Sequence, residues 1–270
     1  MFASVFGLVD IVQQLIVLNA NVNQQTNNGY TALMFAAEFG YDEIVQLLIQ
    51  ADANIFLMHD DENALMKAVK ASHCSIVKLL IEHGMKKSRQ EKLHILHVPC
   101  GSAESIYEIL DDDLQLNSAL IYALDSRYIY DEATNKQIIK LLIHAGADLK
   151  NTADGGIGNI ALFLAVEKNY QDIVQELIVY RADINSKYYN LTALMVAIEQ
   201  NNLHMAQFLL ESGANIALKI GWFKTALSIA YKKKNKNAIR LLLKTYEKIK
   251  TTNCIDRCIL FFLKNINFNN

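Results

Sequence analysis

Small and apolar residues return along this chain with a long period. The phrase is Thr31-Ala32-Leu33, then Asn63-Ala64-Leu65, Ser118-Ala119-Leu120, Ile160-Ala161-Leu162, Thr192-Ala193-Leu194 and Thr225-Ala226-Leu227. The alanine-to-alanine steps are 32, 55, 42, 32 and 33 residues. Within one period, Gly29 to Asn54, two helical patterns follow each other. Asn27-Asn28-Gly29 predicts a turn, because Asn and Gly tolerate positive φ. Thr31 is placed to cap a helix with its hydroxyl. Ala32, Leu33, Ala36 and Ala37 give that helix a flat face of small residues. Gly40 sits where a left-handed residue ends a helix. Asp42 and Glu43 then open a second helix, favoured by its dipole. Ile44, Val45, Leu47 and Leu48 recur at helical spacing, so this helix buries one side. Such a period predicts a stacked helical array in which each unit covers the next, rather than one folded core.

The units resemble the ankyrin repeat, which runs turn, helix, loop, helix and return. The likeness is carried by Gly29–Ile55, Asp61–Gly84, Gln137–Asp148, Asn159–Asn185, Asn190–Asn215 and Lys224–Leu243. Ile76-Val77-Lys78-Leu79-Leu80 and Ile138-Ile139-Lys140-Leu141-Leu142 match the family's second helix. His144-Ala145-Gly146-Ala147-Asp148 and Glu211-Ser212-Gly213-Ala214-Asn215 match its end. The resemblance implies an all-α, ankyrin-like solenoid of helix-turn-helix repeats with short finger turns. The family phrase Thr-Pro-Leu-His lacks Pro and His in every copy; Met34, Met66, Phe163, Met195 and Ser228 take the His place. The family's Thr–His hydrogen bond is therefore missing. Asn169 and Asn201 replace the mid-repeat Gly, a swap Asn tolerates.

At 270 residues the chain suits seven to eight repeats over residues 1–250, irregular at about 86–135, with a C-terminal capping helix at 251–270. Met1–Leu18 aligns with the second helix of a shortened first repeat: Asp10-Ile11-Val12 matches Glu43-Ile44-Val45. It lacks a basic n-region and is not read as a signal peptide. No run reaches the roughly 18 apolar residues of a membrane helix. The middle holds the basic stretch Lys86–Lys92, a degenerate repeat over 93–110 and an inserted loop near 125–134 with Tyr128 and Tyr130. One proline in the whole chain, Pro99, argues against linkers.

The net charge of −2 conceals segregation. Residues 1–66 carry eight acids and no Lys or Arg, whereas residues 219–250 carry ten bases and one acid. Cys74, Cys100, Cys254 and Cys258 show no disulfide framework, so a reducing compartment is expected.

Candidate chemistry is sparse. His94, His97 and Cys100 are spaced three apart and could share a helix face toward zinc, with Cys74 or Glu104 completing a set; the alternative is a polar face of a degenerate repeat. Cys100 with His97 could also be a thiol–imidazole pair, but no third orienting group accompanies it. Cys254 and Cys258 lie a turn apart and are read as buried. Asp154–Gly158 lacks the strand and Lys-Ser/Thr of a phosphate loop and is read as an extended finger. Leu177, Asp183 and Asn185 stand as the family's arrangement for asparaginyl hydroxylation, against a plain role in holding the turn. No catalytic, cofactor or metal residue is assigned, no cofactor or small-molecule substrate is expected, and the chain is not read as an enzyme.

The fingers carry the functional signal. Aligned on the anchor alanines, their tips are Asn28, Asp60, Ile157, Tyr189 and Trp222. Tyr188, Tyr189, Trp222 and Phe223 thus form a cluster of aromatics on neighbouring exposed loops, the residue type that anchors interfaces. The expected function is a scaffold or adaptor that holds a partner protein through its concave finger and helix face. Its setting is a cytoplasm, with export into a host cytoplasm as a variant. The alternatives are binding of nucleic acid or acidic membrane by the Lys-rich C-terminal end, with Lys232-Lys233-Lys234-Asn235-Lys236 at its centre, and a targeting module of an enzyme with a site in the irregular middle.

Overall fold

Four of the inner helices begin on the same side-chain cap. Thr31, Asn63, Thr192 and Thr225 hold extended backbone and accept the N–H of Met34, Met66, Met195 and Ser228. At the last of these the bond is returned: Ser228 Oγ accepts the Thr225 N–H at 2.9 Å, which closes a capping box. A serine thus supplies a reciprocal bond at a place where the family phrase has lost its histidine.

In the computed structural model the described residues are 1–95, 115–125, 131–149, 156–221 and 224–249. The chain divides into two units, Met1–Asp148 and Leu149–Asn270. The first holds α1 (Phe2–Val5), α2 (Val9–Val17), α3 (Ala32–Phe39), α4 (Asp42–Gln50), α5 (Ala64–Lys70), α6 (Cys74–Ile95), α7 (Leu116–Leu124) and α8 (Glu132–His144). The second holds α9 (Ile157–Glu167), α10 (Gln171–Val179), the two-residue strands β1 (Lys187–Tyr188) and β2 (Leu191–Thr192), then α11 (Ala193–Glu199), α12 (Leu203–Glu211), α13 (Ala226–Lys232) and α14 (Lys236–Ile249). The helices pair in order, one inner and one outer, and each pair stacks on its neighbour within the unit.

The stacking positions are the expected ones. Ile44 and Leu48, Ile76 and Leu80, Ile138 and Leu142, Ile173 and Leu177 are each 2% exposed or less. Their counterparts in α2 are not covered: Ile11 is 46% and Leu15 41% exposed. Between paired helices one residue takes the left-handed conformation: Gly7, Gly40 and Ser72 in the first unit, and Asn169, Asn201 and Lys234 in the second. A ladder then joins consecutive repeats. His73 Nε2 lies 3.2 Å from the Glu38 carbonyl, Gln200 donates to the Glu167 carbonyl, and Lys233 donates to the Glu199 carbonyl, both at 2.8 Å.

Three boundaries differ from the sequence expectation. Lys86–Lys92, expected as an irregular stretch, continues α6, which runs to Ile95. α8 opens at Glu132, inside the loop expected near 125–134, because Asp131 caps it by accepting the N–H groups of Ala133 and Thr134. α9 opens at Ile157, so Gly158 belongs to the helix and not to a finger. A Cβ there would lie 2.2 Å from the Leu149 carbonyl oxygen, so the position excludes any side chain. Residues 96–110 of the degenerate repeat expected over 93–110, Tyr128, Tyr130 and the capping helix expected at 251–270 lie outside the described residues, and 93–95 belong to α6.

Candidate partner-binding site

The fingers are tight hairpins, and their sequence dictates why. In the second unit β1 and β2 pair antiparallel, Lys187 opposite Thr192 and Tyr188 opposite Leu191. Two residues join them, Tyr189 and Asn190, both left-handed at φ 48° and 54°. Such a turn matches the twist of the strands but asks for Asn, Asp or Gly. The first unit repeats the arrangement: His59 and Glu62 exchange backbone hydrogen bonds at 2.9 Å across Asp60 and Asp61, which are left-handed too.

Alternation along the hairpin separates the two tyrosines. Tyr188 turns inward, and its ring meets Phe163 of α9 edge-on at 5.1 Å. Burial pushes the Tyr188 phenol above its usual pKa, helped by the Tyr189 hydroxyl and by the charges of Tyr189 and Glu167. Tyr189 sits at the tip, 78% exposed, its ring 4.4 Å from that of Tyr188. Trp222 and Phe223 lie outside the described residues; the flanking Ile220 and Lys224 exchange backbone hydrogen bonds, with three residues between them where the other two fingers have two.

The first unit holds a cluster that sequence reasoning missed. Lys67 of α5 is 8% exposed. Its Nζ reaches Glu62 at 2.8 Å and donates to the Tyr30 hydroxyl at 2.8 Å. Lys70, one helical turn below, also pairs with Glu62 and lies 4.2 Å over the Tyr122 ring of α7. Tyr30 stacks on Phe35 at 4.7 Å and meets His59 at 4.2 Å. Charge and aromatic rings from two fingers and three inner helices therefore share one place.

The remaining candidates do not converge. His94 lies on α6, and His97, Cys100, Cys254 and Cys258 lie outside the described residues. Among the described residues no group of three His, Cys, Asp or Glu is placed to hold a metal ion. Cys74 is half-buried, and burial raises its thiol pKa, with Lys78 opposing. Asn185 spends its side-chain oxygen on the Asn215 N–H at 2.7 Å; Asn23 and Asn117 make the same bond to Asn54 and Asp148. Among the described residues no helix is long and apolar enough to cross a membrane.

A family model described as ankyrin repeats, in three copies, matches residues 1–91 and 127–220. The chain belongs to the ankyrin repeat family. Ankyrin relatives include the ankyrin repeat and KH domain-containing protein mask-1 of Caenorhabditis elegans, 26% identical over 231 residues. That match takes in 81% of this chain and only 8% of mask-1. Among solved ankyrin structures, the ankyrin repeat domain of Bcl-3, a member of the IkappaB protein family, is similar with a TM-score of 0.65 at 22% identity, over 89% of this chain and 96% of that one. The human ASB11 ankyrin repeat domain gives 0.59 at 17% identity, over 90% and 95%. Ankyrin repeats are, as a family, modules of protein–protein interaction.

Proposed function

We propose that this chain is a scaffold or adaptor that holds a partner protein on its fingers and inner helices, with Tyr189 as an anchor. The observation that carries the reading is the placement of Tyr189. A tyrosine in left-handed backbone is strained. Turn chemistry does not account for it, since Asn or Gly would suit the turn better, and the ring stays 78% exposed although one side lies against Tyr188. Large exposed aromatics held rigidly on loops are the residues that dominate interfaces. Tyr188 lies against the tip, and Trp222 and Phe223, aligned in sequence with the tip of the next finger, belong to the same proposal. A cytoplasmic setting belongs to the same proposal.

The test is capture of partners from lysate, followed by titration of the one that binds, with wild type beside Tyr189→Asn and Tyr189→Ala/Trp222→Ala. Tyr189→Asn relieves the turn, so its melting temperature should not fall. Loss of about 2 kcal/mol of binding, roughly thirtyfold, is expected for an anchor. A well-folded Tyr189→Asn that binds as wild type does would remove Tyr189 from the interface.

A further inference from the structure

One outer helix runs against its own electrostatics. α2, α4, α8 and α10 carry acids in their first turns: Asp10, Asp42 with Glu43, Glu132 and Asp172. These sit well beside the positive end of the helix dipole. α14, like α6 and α12, has no acid there, and unlike them it collects Lys233, Lys234 and Lys236. Down the same helix Lys236, Arg240 and Lys244 follow at steps of four, a spacing that puts like charges on one face and destabilises it. All of these, with Lys232, are exposed. Residues 212–246 hold eight Lys or Arg and no Asp or Glu. Lys234 also takes the left-handed turn position, φ 53°, that Asn169 and Asn201 fill in the preceding repeats. Three local penalties meet at one place, and only Lys233, through its bond to the Glu199 carbonyl, repeats a contact made in the preceding repeats.

We propose that this face binds a nucleic acid through its phosphate backbone, without reading bases. The inference stands apart from the finger-tip reading and uses none of its residues. Steps of four residues on a helix are about 6 Å apart. A row of cations at that pitch can follow the repeat of phosphates along a nucleic-acid strand, so Lys236, Arg240 and Lys244 can each meet a phosphate. Lys232 and Lys234 prolong the row at the loop, and Tyr231, 52% exposed, offers a ring on which a base can stack. A membrane surface fits less well. Among the described residues beyond 212, Tyr231 is the sole exposed large hydrophobic, and surface helices enter bilayers by an apolar face. A protein partner fits less well too, because interface centres are depleted of charge.

The test uses the full chain, freed of co-purified nucleic acid, with labelled single-stranded RNA and DNA of one mixed sequence and with phosphatidylserine vesicles. Binding is read by anisotropy and by co-sedimentation. If about four cations meet phosphates, affinity for both strands should fall roughly fiftyfold between about 50 mM and 200 mM salt. The variant Lys232→Gln/Lys234→Asn/Arg240→Gln/Lys244→Gln should lose that binding. Its helical signal should be unchanged and its melting temperature close to that of wild type, since Lys234→Asn, Arg240→Gln and Lys244→Gln each remove a local penalty and Lys232→Gln gives up only one favourable charge in the last turn of α13. Lys232→Gln/Lys244→Gln alone should reduce the log–log salt slope by about 1.4. Four results would overturn the proposal: no binding at low salt, undiminished binding by the four-site variant, binding to vesicles but to neither strand, or a salt-sensitive self-association that accounts for the patch without nucleic acid.

Discussion

Lys67 occupies a slot, three residues after the anchor alanine, that the other inner helices fill with Phe35, Tyr122, Leu164, Val196 and Ile229. Its side chain is 10% exposed and that of its partner Glu62 is 13% exposed. Removing one partner of a buried pair strands the other charge, whereas replacing both with apolar residues often costs nothing. Glu62→Leu and Lys67→Val install the residues found at the equivalent positions 191 and 196. Glu62→Leu, which removes the carboxylate from both Lys67 and Lys70, should lower stability by about 3 kcal/mol; Lys67→Val leaves Glu62 paired with Lys70 and should cost less, and the double variant should lose less than the sum of the two, as read by urea unfolding. Additive losses would show that the two do not act as a pair. The cluster was legible in the alignment, since a lysine in an apolar slot stands out. It escaped notice because the pair bridges a finger and a helix, where no spacing rule applies. The tyrosines teach the complementary lesson. Their exposure on a finger could be read from the tip alignment, but which of the two faces solvent depends on the register of a hairpin only two residues long per strand.

At the scale of the element, the same letters have different worth according to what covers them. Ile11 and Ile44 occupy one position of the repeat, yet Ile44 is fully buried and Ile11 is 46% exposed. Ile44→Ala should cost about 3 kcal/mol, because it opens a cavity between packed pairs. Ile11→Ala should cost less than about 1 kcal/mol, in proportion to the area it still buries. Because each repeat touches only its neighbours, hydrogen exchange should show Ile44→Ala loosening α3 to α5 more than α7 and α8. Equal costs, or a loss of protection spread evenly over the first unit, would contradict nearest-neighbour stacking. The pairing of helices and the identity of the stacking residues were legible, because a small-Leu anchor and an Ile-Val-x-x-Leu stripe follow from helical period alone. The ends of α6 and the start of α9 were not. Lys86–Lys92 has no stop signal beyond a run of charge, and charge alone does not end a helix. Gly158 resembles a finger residue by composition, and only the approach of the Leu149 carbonyl reveals why glycine is required there.

For the whole molecule, net charge is a poor guide to behaviour. A net charge of −2 and a pI of about 6.4 predict retention on an anion exchanger at neutral pH and release from a cation exchanger. Charge on this chain is segregated instead, with eight acids and no base up to residue 66 and eight bases and no acid over 212–246. A resin senses the local field within about a Debye length, roughly 10 Å at 0.1 M salt, and not the sum over the molecule. The protein should therefore be held by both resins at pH 7. The variant Lys232→Gln/Lys234→Asn/Arg240→Gln/Lys244→Gln should elute from the cation exchanger at distinctly lower salt. On the anion exchanger it should be held at least as well as wild type, because the acids are untouched. Failure of wild type to bind the cation exchanger would mean that the lysines are matched by acids from elsewhere in the chain. The charge reading would then have to be made on the surface as a whole rather than on the segment.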